Sequence, residues 1–195
     1  MTSQDAIPTS HQKALLTTQE FYLLCESGTF LECAKAELLD GEIYTMNAQH
    51  RPHVMAKMDL YDAIRDQLKV IGSTLRAVLE ATVELDARNA PEPDIILTSE
   101  PYGEGAIPVS SVALIVEISD TTLKMDMGKK QAIYAQAGVA EYWVVDLEGG
   151  KLHQMWSVKD HVYREKRELP FGAQVNSETV EQLAITLDIG SSHRV

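Results

Sequence analysis

Two carboxylates occupy positions where burial disfavours an acid. Asp94 follows Pro93 at the head of the apolar run Ile95-Ile96-Leu97, and Glu117 sits inside Val112-Ala113-Leu114-Ile115-Val116-Glu117-Ile118-Ser119. Both runs are short, apolar and rich in β-branched residues, the pattern of neighbouring buried strands. An isolated anion in such a strand carries a large desolvation penalty or takes up a proton, so each carboxylate needs a compensating partner. A divalent cation between them would serve, and a hard ion such as Mg²⁺, or Mn²⁺ in its place, prefers oxygen ligands of this kind.

Phosphodiester hydrolysis with such an ion needs carboxylates to fix it, a water as nucleophile, and a cation to orient that water or stabilise the growing negative charge. Residue 119 of a strand projects to the same face as residue 117, so a lysine there would supply the cation. The chain has Ser119 instead, whose hydroxyl delivers no charge. The best replacement is Lys130 on the following helix. Lys129 competes with it, because one position turns a helix by about 100°. The plain structural alternative is a solvated Asp126–Lys130 helix pair contributing about 0.3–0.5 kcal/mol, and on spacing alone it ranks first. Glu37, at the root of a hairpin, is free to reach a site at the sheet's edge, yet it equally suits a surface position, and period-two alternation does not settle which. Glu84 and Glu92 are alternative carboxylates expected to be exposed.

Other candidates have simpler explanations. His50 and His53 stand three apart, but no third zinc ligand falls at a recognised spacing, so they are expected to open a helix. Tyr142-Trp143 lies between apolar residues and predicts core packing rather than base stacking. Arg164, Lys166 and Arg167 alternate with Glu165 and Glu168, the pattern of a solvated strand face.

The elements that must position these groups follow from periodicity and turn chemistry. Thr17-x-x-Glu20 is a capping box for a short helix that Gly28 stops. Asp40-Gly41 between alternating arms predicts a hairpin over 36–46. Val54, Met58, Tyr61, Ile64, Leu68 and Ile71 recur at three and four, giving an amphipathic helix from about His50 to Ile71 that Gly72 ends. One or two strands follow over 74–86, then the strand 93–98, a loop over 99–111, and the strand 112–119. A helix of about 125–137 leads to a strand over 139–145, a unit that favours a parallel crossover. Segments 151–158 and 161–168 resemble a hairpin, and 170–195 holds a short helix or strand and a tail.

A chain of 195 residues with 45% hydrophobic and 24% charged residues suits one domain with a full core, here a loosely ordered lead-in over 1–16 followed by the domain 17–195. Two cysteines are too few for a disulfide framework, which favours a reducing cytoplasm. The N-terminus lacks a signal-peptide pattern, and no run approaches the ~20 apolar residues of a membrane span. The net charge of −12 weighs against long contacts with nucleic-acid phosphates, though not against a local basic groove or a bound metal.

Taken together, Glu37-Leu38-Leu39-Asp40-Gly41-Glu42, Pro93-Asp94, Val116-Glu117-Ile118-Ser119 and Lys130-x-x-x-Tyr134-x-x-x-Gly138-Val139-x-Glu141-Tyr142-Trp143 resemble the Uma-two family of proposed endonucleases in the PD-(D/E)XK, restriction-endonuclease-like superfamily. The resemblance spans roughly residues 17 to 165. It implies a single α/β domain with a mixed central sheet flanked by helices. It further implies a Mg²⁺-dependent endonuclease acting on DNA, with Asp94 and Glu117 as metal ligands and Glu37 completing the carboxylate set. The lysine absent from the strand would be supplied by Lys130, and His53 matches a histidine common in that family. The chain departs from the family pattern at Glu92 and at Asp120-Thr121-Thr122. A homodimer is expected by analogy, since cutting two strands favours two sites. The rival expectations are a non-catalytic binding or assembly module that keeps the fold, and a metal-dependent hydrolase of small phosphate esters.

Overall fold

The computed structural model describes residues 13–189, so 1–12 of the expected lead-in and the tail beyond 189 lie outside the described residues. Helix α1 (Thr18–Glu26) opens with the expected capping box. The Thr17 hydroxyl accepts the Glu20 N–H at 3.3 Å, and the Glu20 carboxylate accepts the Thr17 N–H at 2.8 Å. Strands β1 (Lys35–Leu39) and β2 (Glu42–Met46) form the hairpin, with Asp40 and Gly41 at φ of 53° and 75°, the signs a type I′ turn requires. A Cβ on Gly41 would lie 2.8 Å from that of Leu15, so the turn tolerates only glycine there.

Helix α2 (Arg51–Val70) is followed by β3 (Arg76–Leu79), β4 (Val83–Glu84) and β5 (Ile95–Thr98). The segment 99–111, expected to be loop throughout, ends in ordered structure: β6 (Ile107–Pro108) pairs in parallel with β4, and a 3₁₀ turn (Val109–Ser111) leads into β7 (Val112–Ser119). The next helical stretch comprises α3 (Leu123–Met125), a π turn (Asp126–Lys130) and α4 (Gln131–Gln136), where the sequence predicted one regular helix. Strands β8 (Glu141–Asp146), β9 (Lys151–Lys159) and β10 (Val162–Pro170) follow, then a small hairpin of β11 (Gln174–Asn176) and β12 (Ala184–Thr186).

Six strands make the central sheet in the order β10-β9-β8-β7-β5-β3, with β7 and β8 parallel and the other neighbours antiparallel. The sheet is mixed and flanked by helices, as expected. Because strand side chains alternate, each face builds its own core. Leu114, Val116 and Ile118 pack with Trp143 against Ala56, Leu60, Ile64 and Leu68 of α2. Ile96, Ile115, Tyr142 and Val144 pack on the other face against Ile133, Tyr134 and Ala135 of α4. Tyr142 and Trp143 are fully buried core residues. Each fully buried Leu, Ile or Val contributes about 1.5–3 kcal/mol. Alternation also puts residues 94 and 117 on the α4 face, level with Ile96 and Ile115. Among the described residues no helix is long and apolar enough to cross a membrane.

Candidate active site

The register of β5 and β7 brings the two central carboxylates together. Ile95 pairs with Val116, so one step further along the antiparallel ladder Asp94 stands opposite Glu117. Directly opposed side chains on one face have their Cβ atoms about 4.5–5.5 Å apart. The Ile118 N–H donates to Asp94 Oδ2 at 2.8 Å, which fixes the carboxylate across the strand pair. Glu37 arrives from the hairpin, which is not part of the central sheet. A bridge between Leu38 and Ala90 docks β1 along segment 90–92, where Glu37 Oε1 accepts the Glu92 N–H at 2.8 Å. Glu37 is 1% exposed, which settles its direction: it points inward.

Lys130 enters from the π turn. A π turn accommodates one more residue per turn than an α-helix, so it resets the rotation of everything after it. The Gln131 N–H donates to the Asp126 carbonyl, and the Tyr142 hydroxyl donates to the same carbonyl at 3.0 Å, anchoring the turn to β8. In this setting Lys130 Nζ donates to Glu37 Oε1 at 2.9 Å and to Glu117 Oε1 at 3.0 Å, and the Tyr134 hydroxyl, one turn on, donates to the same Glu117 oxygen at 2.7 Å. The solvated Asp126–Lys130 pair is therefore not found: the two residues are 2% and 4% exposed, and the Thr122 hydroxyl donates to Asp126 at 2.5 Å. Lys129 turns outward to Asp40 Oδ2 at 2.8 Å, over the ring of Tyr44.

These groups border a cleft of about 690 Å³. Glu37, Glu80, Glu92, Asp94, Glu117, Asp120 and Asp126 line it, against Lys35, Lys130, His50 and His53. The lining is acidic overall, an environment that favours cations. Glu92, expected to be exposed, is half-buried in this wall because β1 covers it, whereas Glu84 is exposed.

Burial and charge pull the carboxyls apart. Burial would raise Asp94, but the hydrogen bond from His53, the charge of Lys35 and the Ile118 N–H outweigh it and hold the group down at about 2. Burial dominates at Glu117 and pushes it up to about 7, with Asp126 and Asp94 adding repulsion and Lys130 opposing. Glu92 is likewise pushed up to about 7 by burial, and Asp126 is raised for the same reason. Lys130 is raised because Glu117, Glu37 and Asp126 together overcome its own desolvation.

These directions have opposite consequences for stability. Above the ordinary 4.5 of an unfolded glutamate, the folded state holds a proton on Glu117 that the unfolded chain has lost, so this group's contribution declines as pH rises from about 4.5 to about 7. Asp94 behaves conversely: its contribution is present above 3.8 and is lost as pH falls toward 2. Urea unfolding of wild type and Glu117→Gln across pH 4.5–7.5 should show a shallower decline in the variant. Equal slopes would contradict the assignment.

All four of the residues singled out from the sequence, Asp94, Glu117, Glu37 and Lys130, converge. Several others at the site gave no such signal. Lys57 of α2 is 5% exposed, with Nζ 2.6 Å from Gln49 Oε1 and 3.6 Å from Asp94 Oδ1. Lys35 stands 3.6 Å from Glu37 Oε1. Both read as ordinary polar positions of an amphipathic helix and a strand end. His53 gains a place here, with Nε2 at 3.3 Å from Asp94 Oδ2.

The donor set suits a hard divalent ion. Two carboxylates face each other across adjacent strands, and both hydrogen bonds to Glu117 fall on Oε1. Among the described residues no three His, Cys, Asp or Glu side chains form a ready-made cage. Mg²⁺ commonly takes only one or two protein carboxylates and completes its shell with water and substrate phosphate.

No curated protein matches the chain. Its fold is similar to the crystal structure of a protein from Anabaena variabilis described as a "putative nuclease belonging to DUF820", with a TM-score of 0.57 and 17% sequence identity over 76% of this chain and 86% of that one. At that identity the likeness concerns the fold. The family model Uma2, described as "Putative restriction endonuclease", matches residues 18–189. With the match covering the central sheet, the hairpin and the cleft between them, the chain belongs to the Uma2 family.

Proposed function

We propose that the protein is a metal-dependent endonuclease that hydrolyses DNA phosphodiester bonds in the cleft between the hairpin and the central sheet. The observation that carries this reading is the opposition of Asp94 and Glu117 on neighbouring strands, with Lys130 Nζ 3.0 Å from Glu117 Oε1. The family description and the name of the Anabaena protein agree with it. Asp94 and Glu117 would hold Mg²⁺ or Mn²⁺, with Glu37 as the supporting carboxylate. Such an ion supplies Lewis acidity and lowers the pKa of water. The remaining work falls to the chain. Lys130 orients the attacking water and offsets charge that develops on the phosphoryl group, a role Ser119 cannot fill. Tyr134 fixes the Glu117 carboxylate, and Glu37 keeps Lys130 from turning away. Action in the cytoplasm as a homodimer, with one site per strand, completes the proposal.

The test is cleavage of supercoiled plasmid with Mg²⁺ or Mn²⁺. Wild type should nick or linearise it, and Asp94→Asn should not; undiminished cleavage by the variant overturns the assignment. A second reading is a non-catalytic binding module, favoured by the protein partners that both carboxylates already have. Under that reading Mn²⁺ and chelators leave the melting temperature unchanged and no nucleic acid is cut.

A further inference from the structure

Asp94 has more polar neighbours than Glu117, and all but the Ile118 N–H come from one stretch of chain. Oδ1 lies 3.4 Å from Gln49 Nε2 and 3.6 Å from Lys57 Nζ, while Oδ2 takes the Ile118 N–H and faces His53 Nε2. Gln49, His53 and Lys57 belong to the connection before α2 and to its first two turns. Gln49 and Lys57 are also tied to each other at 2.6 Å, and both donate to Glu80 Oε1, Gln49 at 3.0 Å and Lys57 in a closer contact. Glu80 is held at φ of 50°, a left-handed conformation unfavourable for glutamate, with its N–H on the Asp94 carbonyl at 3.3 Å. Gln49 and Lys57 thus flank one oxygen of Asp94, and Glu80 holds both of them.

We infer that Gln49 and Lys57 form a latch on Asp94 that lowers the free protein's affinity for a divalent cation, so that the ion is fully taken up only when the latch is displaced. The inference rests on the reading of Asp94 as a metal ligand. An ammonium 3.6 Å from Oδ1 repels an approaching dication, and the Gln49 amide, donating to Oδ1 at 3.4 Å, competes for its lone pairs. Glu80 keeps Lys57 in place beside Asp94. Gln49, which lines the cleft, is the member an entering substrate meets first, and a phosphate offers it and Lys57 an alternative acceptor. The latch would couple metal loading to substrate entry.

The test is isothermal titration of Mn²⁺ into wild type, Gln49→Ala, Lys57→Met and Asp94→Asn, each first shown by melting to be folded. Lys57→Met should bind at least about tenfold more tightly than wild type, Gln49→Ala more tightly by a smaller factor because the ammonium stays on Glu80, and Asp94→Asn should not bind. Should Lys57→Met fail to fold, Lys57→Gln takes its place, since it removes the charge and still offers Glu80 a donor. Unchanged or weaker binding in the latch variants, with binding lost in Asp94→Asn, overturns the latch and leaves the metal site standing. No binding by any protein, even with a short non-cleavable duplex present, overturns the metal site itself.

Discussion

Lys130→Met should lower the free energy of unfolding by about 3–5 kcal/mol at pH 8, the scale for removing one partner of a buried ion pair. Lys130 is the ammonium shared by two carboxylates, Glu37 and Glu117, themselves 1% and 3% exposed. Without it Glu117 retains Tyr134, and Glu37 retains the Glu92 N–H and the more distant Lys35. The Glu117 carboxyl would then favour the protonated form more strongly than in wild type, because the Lys130 charge that opposes its protonation is gone. The folded variant consequently binds extra protons, and the deficit should shrink as pH falls from 8 to 5. Urea unfolding at the two pH values checks the size and the sign. A deficit independent of pH would mean that lost packing of the lysine stem, rather than uncompensated charge, is responsible. In the plasmid assay the same variant should lose about 10²–10³-fold in rate, the scale for one preorganised stabiliser of developing charge.

A comparable loss is expected far from the cleft. Glu141 is fully buried at the start of β8, yet its neighbours are donors rather than cations. Oε1 accepts from Trp143 Nε1 and Gln154 Nε2, each at 2.6 Å. Oε2 accepts from the Ser177 hydroxyl at 2.6 Å, the Glu178 and Thr179 N–H groups at 3.0 Å, and the Thr179 hydroxyl at 2.8 Å. This one carboxylate ties the segment before β12 to the central sheet. Glu141→Leu strands those donors, and at about 1–3 kcal/mol for each that stays buried the expected destabilisation is about 3–5 kcal/mol. Mn²⁺ binding should be unaffected once the protein is folded, because neither Glu141 nor the donors it holds line the cleft. Urea unfolding followed by tryptophan fluorescence measures the first expectation and titration the second; a loss below about 1 kcal/mol would show that water replaces the carboxylate.

What could be read from the chain depended on how local the cause was. The strands holding Asp94 and Glu117 were legible because their apolar runs are continuous, and an acid inside such a run stands out against its neighbours. The hairpin was legible because Asp40-Gly41 has few other uses. Period-two alternation could not orient Glu37, since the fact that decides it is the bridge from Leu38 to Ala90, across a long stretch of sequence. Lys57 was invisible for a related reason: between Ala56 and Met58 on an amphipathic helix it has the form of any solvated lysine, and only the turn at Glu80 shows that its end is enclosed. Glu141 was noticed as part of a motif, but its six donors come from residues near it in space and mostly distant in sequence. The π turn left no periodic trace, because Asp126-Met127-Gly128-Lys129-Lys130 is too short for its spacing to be distinguished from an α-helical turn.

That turn makes the site sensitive to the number of residues more than to their kinds. Gly128 has open space around it, so a side chain could be added there without collision. Gaining or losing a single residue between 126 and 130 is a different matter. Everything after the change would rotate by about 100°, turning Ile133 and Tyr134 away from the sheet and swinging Lys130 and Tyr134 off Glu117. The stretch works as a phase setting: composition is negotiable along it, and length is not.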